Sequence, residues 1–221
     1  MEVIFIDNHL LAAIKPAGLA TQPHEADHDH FLGHAKQWIK IKYNKPGNVF
    51  LEPIHRLDKP VSGIVLFART SKALSRLQAQ MRDKKISKTY LALVEGTLPS
   101  FEGTLEHYLI HGSHRASVVS SSNPEGKGAI LHYRVVQSDD KTSLVEIFLE
   151  TGRYHQIRAQ LSAIGCPVVG DSKYGSTLHW HGSAIALHHS KMILRHPVTS
   201  EEIILENNKL LQVQKRKTQA F

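Results

Sequence analysis

Short apolar runs recur along the whole of this 221-residue chain, and they limit the folds that it can adopt. Runs of four to eight apolar or alternating residues are typical of β-strands, and here they outnumber the helical patterns. We predict strands at residues 3–6, 10–14, 64–68, 89–94, 130–136, 144–150, 184–194 and 201–205. The first two and the last two of these runs have the spacing of hairpins.

Three segments have apolar residues at helical spacing instead. Residues 31–43 and 71–82 form two of them, and Thr70 or Ser71 is a suitable N-cap for the second. The third is residues 153–164, where Ile157, Leu161 and Ile164 form an apolar stripe that Gly165 would end. Arg158 lies off this stripe, so we expect it to face a cleft.

The remaining segments predict loops within one catalytic domain that spans residues 1–221. Residues 112–128 are rich in Ser, Gly and Lys, which favours a long flexible insertion. Residues 209–221 contain Lys215-Arg216-Lys217 and are predicted to form a flexible basic tail.

Charge and cysteine content narrow the class of protein. The formal net charge is +7 and the isoelectric point is near 9.5, which favours a polyanionic partner such as nucleic acid. The single cysteine, Cys166, cannot form an internal disulfide, which fits a reducing compartment. No secretory signal or membrane-spanning run is visible, so we expect a cytoplasmic protein without a membrane partner.

The densest chemical feature is the tetrad His55-Arg56-Leu57-Asp58, which is followed by Lys59 and then by a buried strand. The cationic neighbours of Asp58 favour its ionised form, and an ionised carboxylate can act as a nucleophile or a base. A loop held between Pro and Gly residues at the end of a strand can present such a side chain to a pocket.

Four blocks in this order give the chain a resemblance to the RluA family of pseudouridine synthases. The tetrad, completed by Ser62-Gly63, resembles the family signature that carries the catalytic Asp. The other blocks are Lys15-Pro16-Ala17-Gly18, the segment Lys88 to Gly96, and the segment Leu149 to Arg158 with its continuation Gly170-Asp171 and Tyr174-Gly175. The resemblance spans about residues 3–206. The resemblance implies an α+β fold with a mixed, largely antiparallel central sheet flanked by helices and loops.

The same resemblance implies an RNA pseudouridine synthase that needs no cofactor and no metal. Asp58 would attack the ribose of a flipped uridine or abstract a ribose proton, and the two routes stay open. Tyr90 would stack on the uracil or assist proton removal, and Arg158 would pair with Asp58. Residues expected to bind RNA are Arg56, which would enter the RNA stack, and Lys15, His55, Lys88, Arg153 and His155.

Two features concern the family pattern itself. Val61 stands where many members have Thr, which puts local hydrogen bonding in doubt but leaves Asp58 in place. No residues precede the catalytic domain to form the extra RNA-binding domain of some relatives, so we expect the catalytic domain itself to bind the RNA. We also expect a monomer. A structured transfer RNA or ribosomal RNA is the expected substrate, and the compact form favours transfer RNA.

Two rival functions remain at this point. The 16 histidines, and the run from His24 to His30 above all, suggest a metal-dependent hydrolase, although the run has no familiar ligand spacing. The basic charge also permits a non-catalytic RNA-binding module, against which Asp58, Tyr90 and Arg158 argue.

Overall fold

The computed structural model describes residues 1–23 and 29–208. In these ranges the chain forms eleven strands, three α-helices and one 3-10 turn. It divides into two compact units, residues 1–87 with 189–208 and residues 88–188. The predicted tail at 209–221 and residues 24–28 of the His-rich run lie outside the described residues, and the single domain stays a prediction.

The first unit contains a sheet with two helices. Its strands are β1 (Glu2–Ile6), β2 (Leu10–Lys15), β3 (Glu52–Pro53), β4 (Ser62–Ala68), most of β10 (Leu187–Arg195), and β11 (Glu202–Glu206). The order is β1-β2-β4-β10, with β3 paired to β4 and β11 paired to β10. The β1–β2 and β10–β11 pairs are antiparallel, which confirms the two predicted hairpins.

The core of this unit follows from the period of two in its strands. Alternate residues of β2 and β4 point to one face, and there they meet α2 (Ser71–Arg82). The buried residues of this cluster are Leu10, Ala12, Ile14, Ile64, Leu66, Ala68, Ala73, Leu77, Ile86, Met192, Leu194 and Leu205. This packing fixes β4, and therefore fixes the end of the loop that carries Asp58.

The two helices of the first unit confirm the sequence prediction. The helix α1 covers Phe31–Lys42, and His30 accepts a hydrogen bond from the Gly33 N–H as its N-cap. The helix α2 begins after Thr70, whose hydroxyl accepts from the Ala73 N–H at 3.1 Å. Of the two suggested caps, Thr70 is the one used.

The second unit contains the remaining strands and one helix. Its elements are β5 (Ser87–Glu95), whose first residue belongs to the first unit, β6 (Glu102–His111), β7 (Ala116–Val119), β8 (Lys127–Ser138), β9 (Thr142–Leu149), α3 (Gln156–Ala163) and the turn Ser172–Tyr174. The strand order is β5-β9-β8-β6-β7, and each neighbouring pair is antiparallel. The α+β class is therefore confirmed.

The predicted flexible insertion at 112–128 is wrong, because the structure has a strand in it. The β7 strand pairs with β6 from Tyr108↔Val119 to His111↔Ala116 and forms a hairpin. Most of the Ser and Gly residues that suggested a loop lie in the two turns that flank β7. A short strand between two turns lacks the length over which period-two alternation can be detected.

The third helix also differs from its prediction. It begins at Gln156 rather than at 153, because His155 has the left-handed backbone conformation with a φ of 50°. All residues from Gln156 to Leu161 are buried, so α3 has no polar, solvent-facing side over this stretch. Arg158 is among them, and polar partners within the protein explain how it can be buried.

Among the described residues, none of the helices is both long enough and apolar enough to cross a membrane.

Candidate active site

Asp58 lies in the loop between β3 and β4, at one end of the buried β4 strand. The Val61 N–H donates to the Asp58 carbonyl at 3.0 Å, which closes a tight turn over residues 58–61. Asp58 is half-buried, while Arg56 and Lys59 on either side are exposed. The turn therefore presents the carboxylate between two cationic side chains.

Lys15 attaches this loop to the turn that follows β2. Its ammonium donates to the carbonyls of Pro16 at 2.9 Å, Leu19 at 2.7 Å and Lys59 at 3.3 Å. The residue is 0% exposed. Burial lowers the pKa of Lys15 to about 8, and the charge of Asp58 opposes that shift.

This placement corrects the prediction that Lys15 contacts RNA. A side chain with no exposed surface and three main-chain acceptors cannot reach a phosphate. Instead, Lys15 joins the turn after β2 to the turn that carries Asp58, and a second bond from the Gly18 N–H to the Lys59 carbonyl at 2.8 Å reinforces the connection.

Thr21 provides a second attachment, which the sequence did not reveal. Its hydroxyl donates to the Leu57 carbonyl at 2.9 Å and accepts from the Leu57 N–H at 3.1 Å. Both polar groups of the Leu57 backbone are thus satisfied by one buried side chain. Since Leu57 directly precedes Asp58 in the chain, these two bonds also fix the position of the Asp58 backbone.

Replacing Thr21 by valine should therefore loosen the loop without changing the shape of the side chain. Two buried backbone groups would lose their partner, so we expect about 1–3 kcal/mol of lost stability and a lower kcat. Chemical denaturation and RNA turnover measure the two effects. Thr21→Ser, which keeps the hydroxyl, is the matched control, and an equal loss in both variants would contradict this role.

The other side of the loop is attached through two histidines. The Leu66 N–H donates to His55 Nε2 at 3.2 Å, and the His55 ring meets His189 edge-on at 5.2 Å. His189 is 2.6 Å from the Ile64 carbonyl through Nδ1. Gly63 has a φ of 125°, and a Cβ there would lie 2.5 Å from the His189 backbone nitrogen, so only glycine fits.

Val61, the departure from the family pattern, is 3% exposed. Its side chain is buried where a threonine hydroxyl would need a hydrogen-bond partner. The substitution therefore leaves the exposed surface around Asp58 unchanged.

In the second unit, Tyr90 and Lys88 lie on β5. Tyr90 is 7% exposed and is paired across the sheet with Ile147. Lys88 is half-buried, and burial lowers its pKa. A Cβ added to Gly152 would lie 3.3 Å from the Lys88 ammonium, so this side chain reaches the turn that precedes α3.

Arg158 forms a buried, bidentate ion pair with Asp171. Its Nε donates to Asp171 Oδ2 at 2.6 Å, and its Nη2 donates to Oδ1 at 2.9 Å. The two side chains are 5% and 2% exposed. The guanidinium also lies 4.9 Å from the ring of Tyr174, and burial is the largest cause of a raised Tyr174 pKa.

His155 and Arg153 lie at the start of α3. His155 Nδ1 is 2.9 Å from the Tyr174 hydroxyl, and its ring stacks on Tyr154 with centroids 3.8 Å apart. Arg153 is exposed, and its Nε donates to the Gly128 carbonyl at 3.0 Å. Of the predicted RNA-binding residues, Arg56 and Arg153 are the most accessible.

Within each unit, the structure brings several predicted site residues together. Lys15, His55 and Asp58 share one loop system in the first unit, while Lys88, Arg153, His155 and Arg158 surround the start of α3 in the second. Sequence reasoning missed the roles of Thr21, Asp171 and Tyr174. The last two stand in the motif that continues after α3, and that position was their only signal.

In the part of the chain that the structure describes, no three His, Cys, Asp or Glu side chains are grouped so that they could hold a metal ion. Most of the run that motivated the metal-dependent hydrolase lies outside that part.

Comparison with known proteins gives a consistent result. The family model for RNA pseudouridylate synthases matches residues 9–163. An uncharacterized RNA pseudouridine synthase of Bacillus subtilis, YhcT, is 37% identical over 93% of this chain and 68% of its own length. The ribosomal large subunit pseudouridine synthase D of Zymomonas mobilis is 34% identical over 92% of this chain and 67% of its own length.

A solved structure supports the fold. Human RNA pseudouridylate synthase domain containing 4 superposes with a TM-score of 0.80 over 97% of this chain and 92% of its own, at 20% identity. The expected pseudouridine synthase fold, with its largely antiparallel sheet, is thereby confirmed. The chain therefore belongs to the RNA pseudouridine synthases of the RluA family, isomerases that act on uridine in RNA.

Proposed function

We propose that this enzyme converts a specific uridine of large-subunit ribosomal RNA to pseudouridine, with Asp58 as its catalytic residue. The observation that carries the proposal is the loop of Asp58, which three attachments hold at the end of β4: Lys15, Thr21 and the His55–His189 pair. A group that must meet one atom of a substrate needs such a rigid support.

The chemistry is an isomerisation in which all atoms of the uridine are retained. The bond between uracil N1 and ribose C1′ breaks, C5 bonds to C1′, and the C5 proton is lost while N1 gains one. Asp58 either attacks the ribose or removes a ribose proton, and both routes begin from its carboxylate. Neither route needs an oxidant or a reductant.

The target uridine must leave its stack before Asp58 can reach it, at a cost of roughly a few kcal/mol. Arg56 is exposed directly beside Asp58, and its planar guanidinium is suited to fill the vacated place in the stack. Tyr90 would stack on the uracil, and Arg158 would support the charge of Asp58, as the family motif implies. His55, Lys88, Arg153 and His155 would complete the RNA-binding set.

The choice of ribosomal RNA rests on the names of relatives, several of which are ribosomal large subunit pseudouridine synthases. We further propose a monomer that works in the cytoplasm, where RNA of this kind is processed. Light scattering of the purified chain with and without RNA tests the monomer.

Mapping pseudouridines across all cellular RNAs, with and without this protein, tests the substrate. We expect a large-subunit ribosomal site to lose its pseudouridine and to regain it when the wild-type chain, but not Asp58→Ala, is supplied. Loss at a transfer RNA site instead would indicate that transfer RNA is the substrate. No loss at any site would contradict the proposed function.

A further inference from the structure

The hairpin formed by β6 and β7 ends in a turn that is aromatic and basic. Residues 111–115 of this turn are all exposed, and they include His111, His114 and Arg115. The centroid of the His111 ring lies 4.1 Å from that of Tyr154, with the two rings tilted by 58°, and Tyr154 is 40% exposed. Tyr154 in turn stacks on His155 at an interplanar angle of 18°. Three rings therefore form a short ladder that begins at the surface.

The inner end of this ladder is firmly held. His155 meets the Tyr174 hydroxyl, which also accepts from the Ala116 N–H at 2.8 Å and so joins the ladder to β7. The Gln156 amide accepts from the Arg153 N–H at 2.9 Å and donates to the Ile130 carbonyl at 3.0 Å. The rings are consequently pre-positioned, and a ligand would not have to order them.

Positive charge surrounds the exposed end. Arg115 lies 5.6 Å from the Tyr174 ring, and the Lys173 ammonium donates to the His114 carbonyl at 3.2 Å. Arg153 adds a third exposed cation. Segments 111–116, 151–155 and 172–175 contain no acidic residue. Of the acids that adjoin them, Asp171 pairs with Arg158, and Glu150 lies 3.7 Å from His132 Nε2.

Exposed rings and several cations together fit one class of ligand. A nucleobase stacks on an aromatic surface whatever its identity, while its phosphates meet the cations. A duplex hides the faces of its bases, so it can use only the cations. An uncharged protein surface would leave the positive charge without a role, whereas RNA uses both features.

We propose that His111 and Tyr154, flanked by Arg115, Arg153 and Lys173, form a platform on which an unpaired nucleotide of the RNA substrate stacks. This inference rests on the proposed function, because the nucleotide belongs to the RNA that carries the target uridine. All residues of the platform belong to the second unit, and none of them belongs to the loop that carries Asp58.

The test compares single-stranded and duplex RNA in fluorescence anisotropy with the full-length chain. The probes are a labelled oligouridylate of about 12 nucleotides, within the usual range of single-strand sites, and a duplex of equal length. We expect His111→Ala and Tyr154→Ala each to weaken single-strand binding by about 5- to 150-fold, the range found for one stacked base. Binding of the duplex should change far less.

Two further variants make the test specific. Tyr154→Phe keeps the ring and should bind like the wild type, and Phe101→Ala removes another exposed aromatic at the opposite end of β6 and should also have no effect. Thermal melting checks folding, and His111→Ala carries the test by itself if Tyr154→Ala does not fold. Unchanged single-strand binding, or an equal loss for the duplex or for Phe101→Ala, would overturn the platform.

The same variants separate this inference from the proposed function. If the wild type binds the oligouridylate through the ladder but converts no uridine, the proposed function fails and the platform stands. If the wild type converts uridine and Tyr154→Ala binds RNA equally well, only the platform fails.

Discussion

Replacing Asp58 by alanine is expected to abolish uridine isomerisation while RNA affinity stays close to that of the wild type. In the proposed mechanism the carboxylate begins both chemical routes, so its loss should lower kcat by about four orders of magnitude or more. Affinity should survive because the surrounding contacts with RNA come from cations such as Arg56, which the substitution leaves intact. The amount of pseudouridine formed in labelled RNA, counted after digestion to nucleosides, measures turnover, and anisotropy measures affinity.

Asp83→Ala is the matched control, since it removes an exposed carboxylate of the same unit. It should leave turnover unchanged, which separates the specific role of Asp58 from the general effect of one less negative charge. Turnover by Asp58→Ala at the wild-type rate would refute the catalytic assignment. A variant that also lost RNA binding would point to a disrupted loop instead.

Asp171→Asn is expected to destabilise the protein by about 3–5 kcal/mol, because it removes the negative charge of a buried ion pair in which Asp171 accepts two hydrogen bonds from Arg158. Both side chains of this pair are almost completely buried, and both oxygens of Asp171 accept from Arg158. Chemical denaturation measures the loss.

Glu146→Gln provides the control for this prediction. Glu146 accepts from Arg134 at 2.7 Å, but the Arg134 side chain is 55% exposed, so water and salt screen the pair. We expect a loss of no more than about 1 kcal/mol there. Equal small losses in the two variants would show that burial does not strengthen the dependence of Arg158 on Asp171.

The Asp171 variant also bears on catalysis. Arg158 can support a charge elsewhere only if its guanidinium is held in one orientation, and Asp171 with Tyr174 provides that hold. A positioning role predicts that Asp171→Asn lowers kcat at temperatures where the variant is still folded, with a smaller effect on KM. A variant that is less stable but fully active would restrict Asp171 to folding.

Much of the local structure could be predicted because its signals are local. The N-cap Thr70 and the alternating residues of β2 and β4 are properties of short stretches, so the elements that they predict were found. The strand within residues 112–128 was not predicted, because β7 has only four residues between two turns. Asp58, the candidate nucleophile, was recognisable from the four motif blocks and not from a periodic pattern of apolar residues.

The contacts that support the site could not be predicted in the same way. Thr21 stands in a polar stretch that resembles any surface loop, and only the fold brings its hydroxyl to the backbone of Leu57, which is 36 residues away in the chain. Lys15 was expected to bind RNA, and lysine is rarely buried without partners. Its three carbonyl partners come from separate turns that only the folded chain brings together.

Signals between neighbouring residues were enough to predict the strand-rich class, the first and last hairpins and the helices near their bounds, and the motif blocks identified Asp58 as the candidate nucleophile. The tertiary structure decided that Lys15 is an internal support, that Arg158 pairs with Asp171, and that His111, Tyr154 and His155 form a ladder of rings. Those outcomes depend on which residues, far apart in the chain, are buried next to one another. Burial makes a polar group depend on whichever partner the fold places beside it, and no spacing along the chain records that choice.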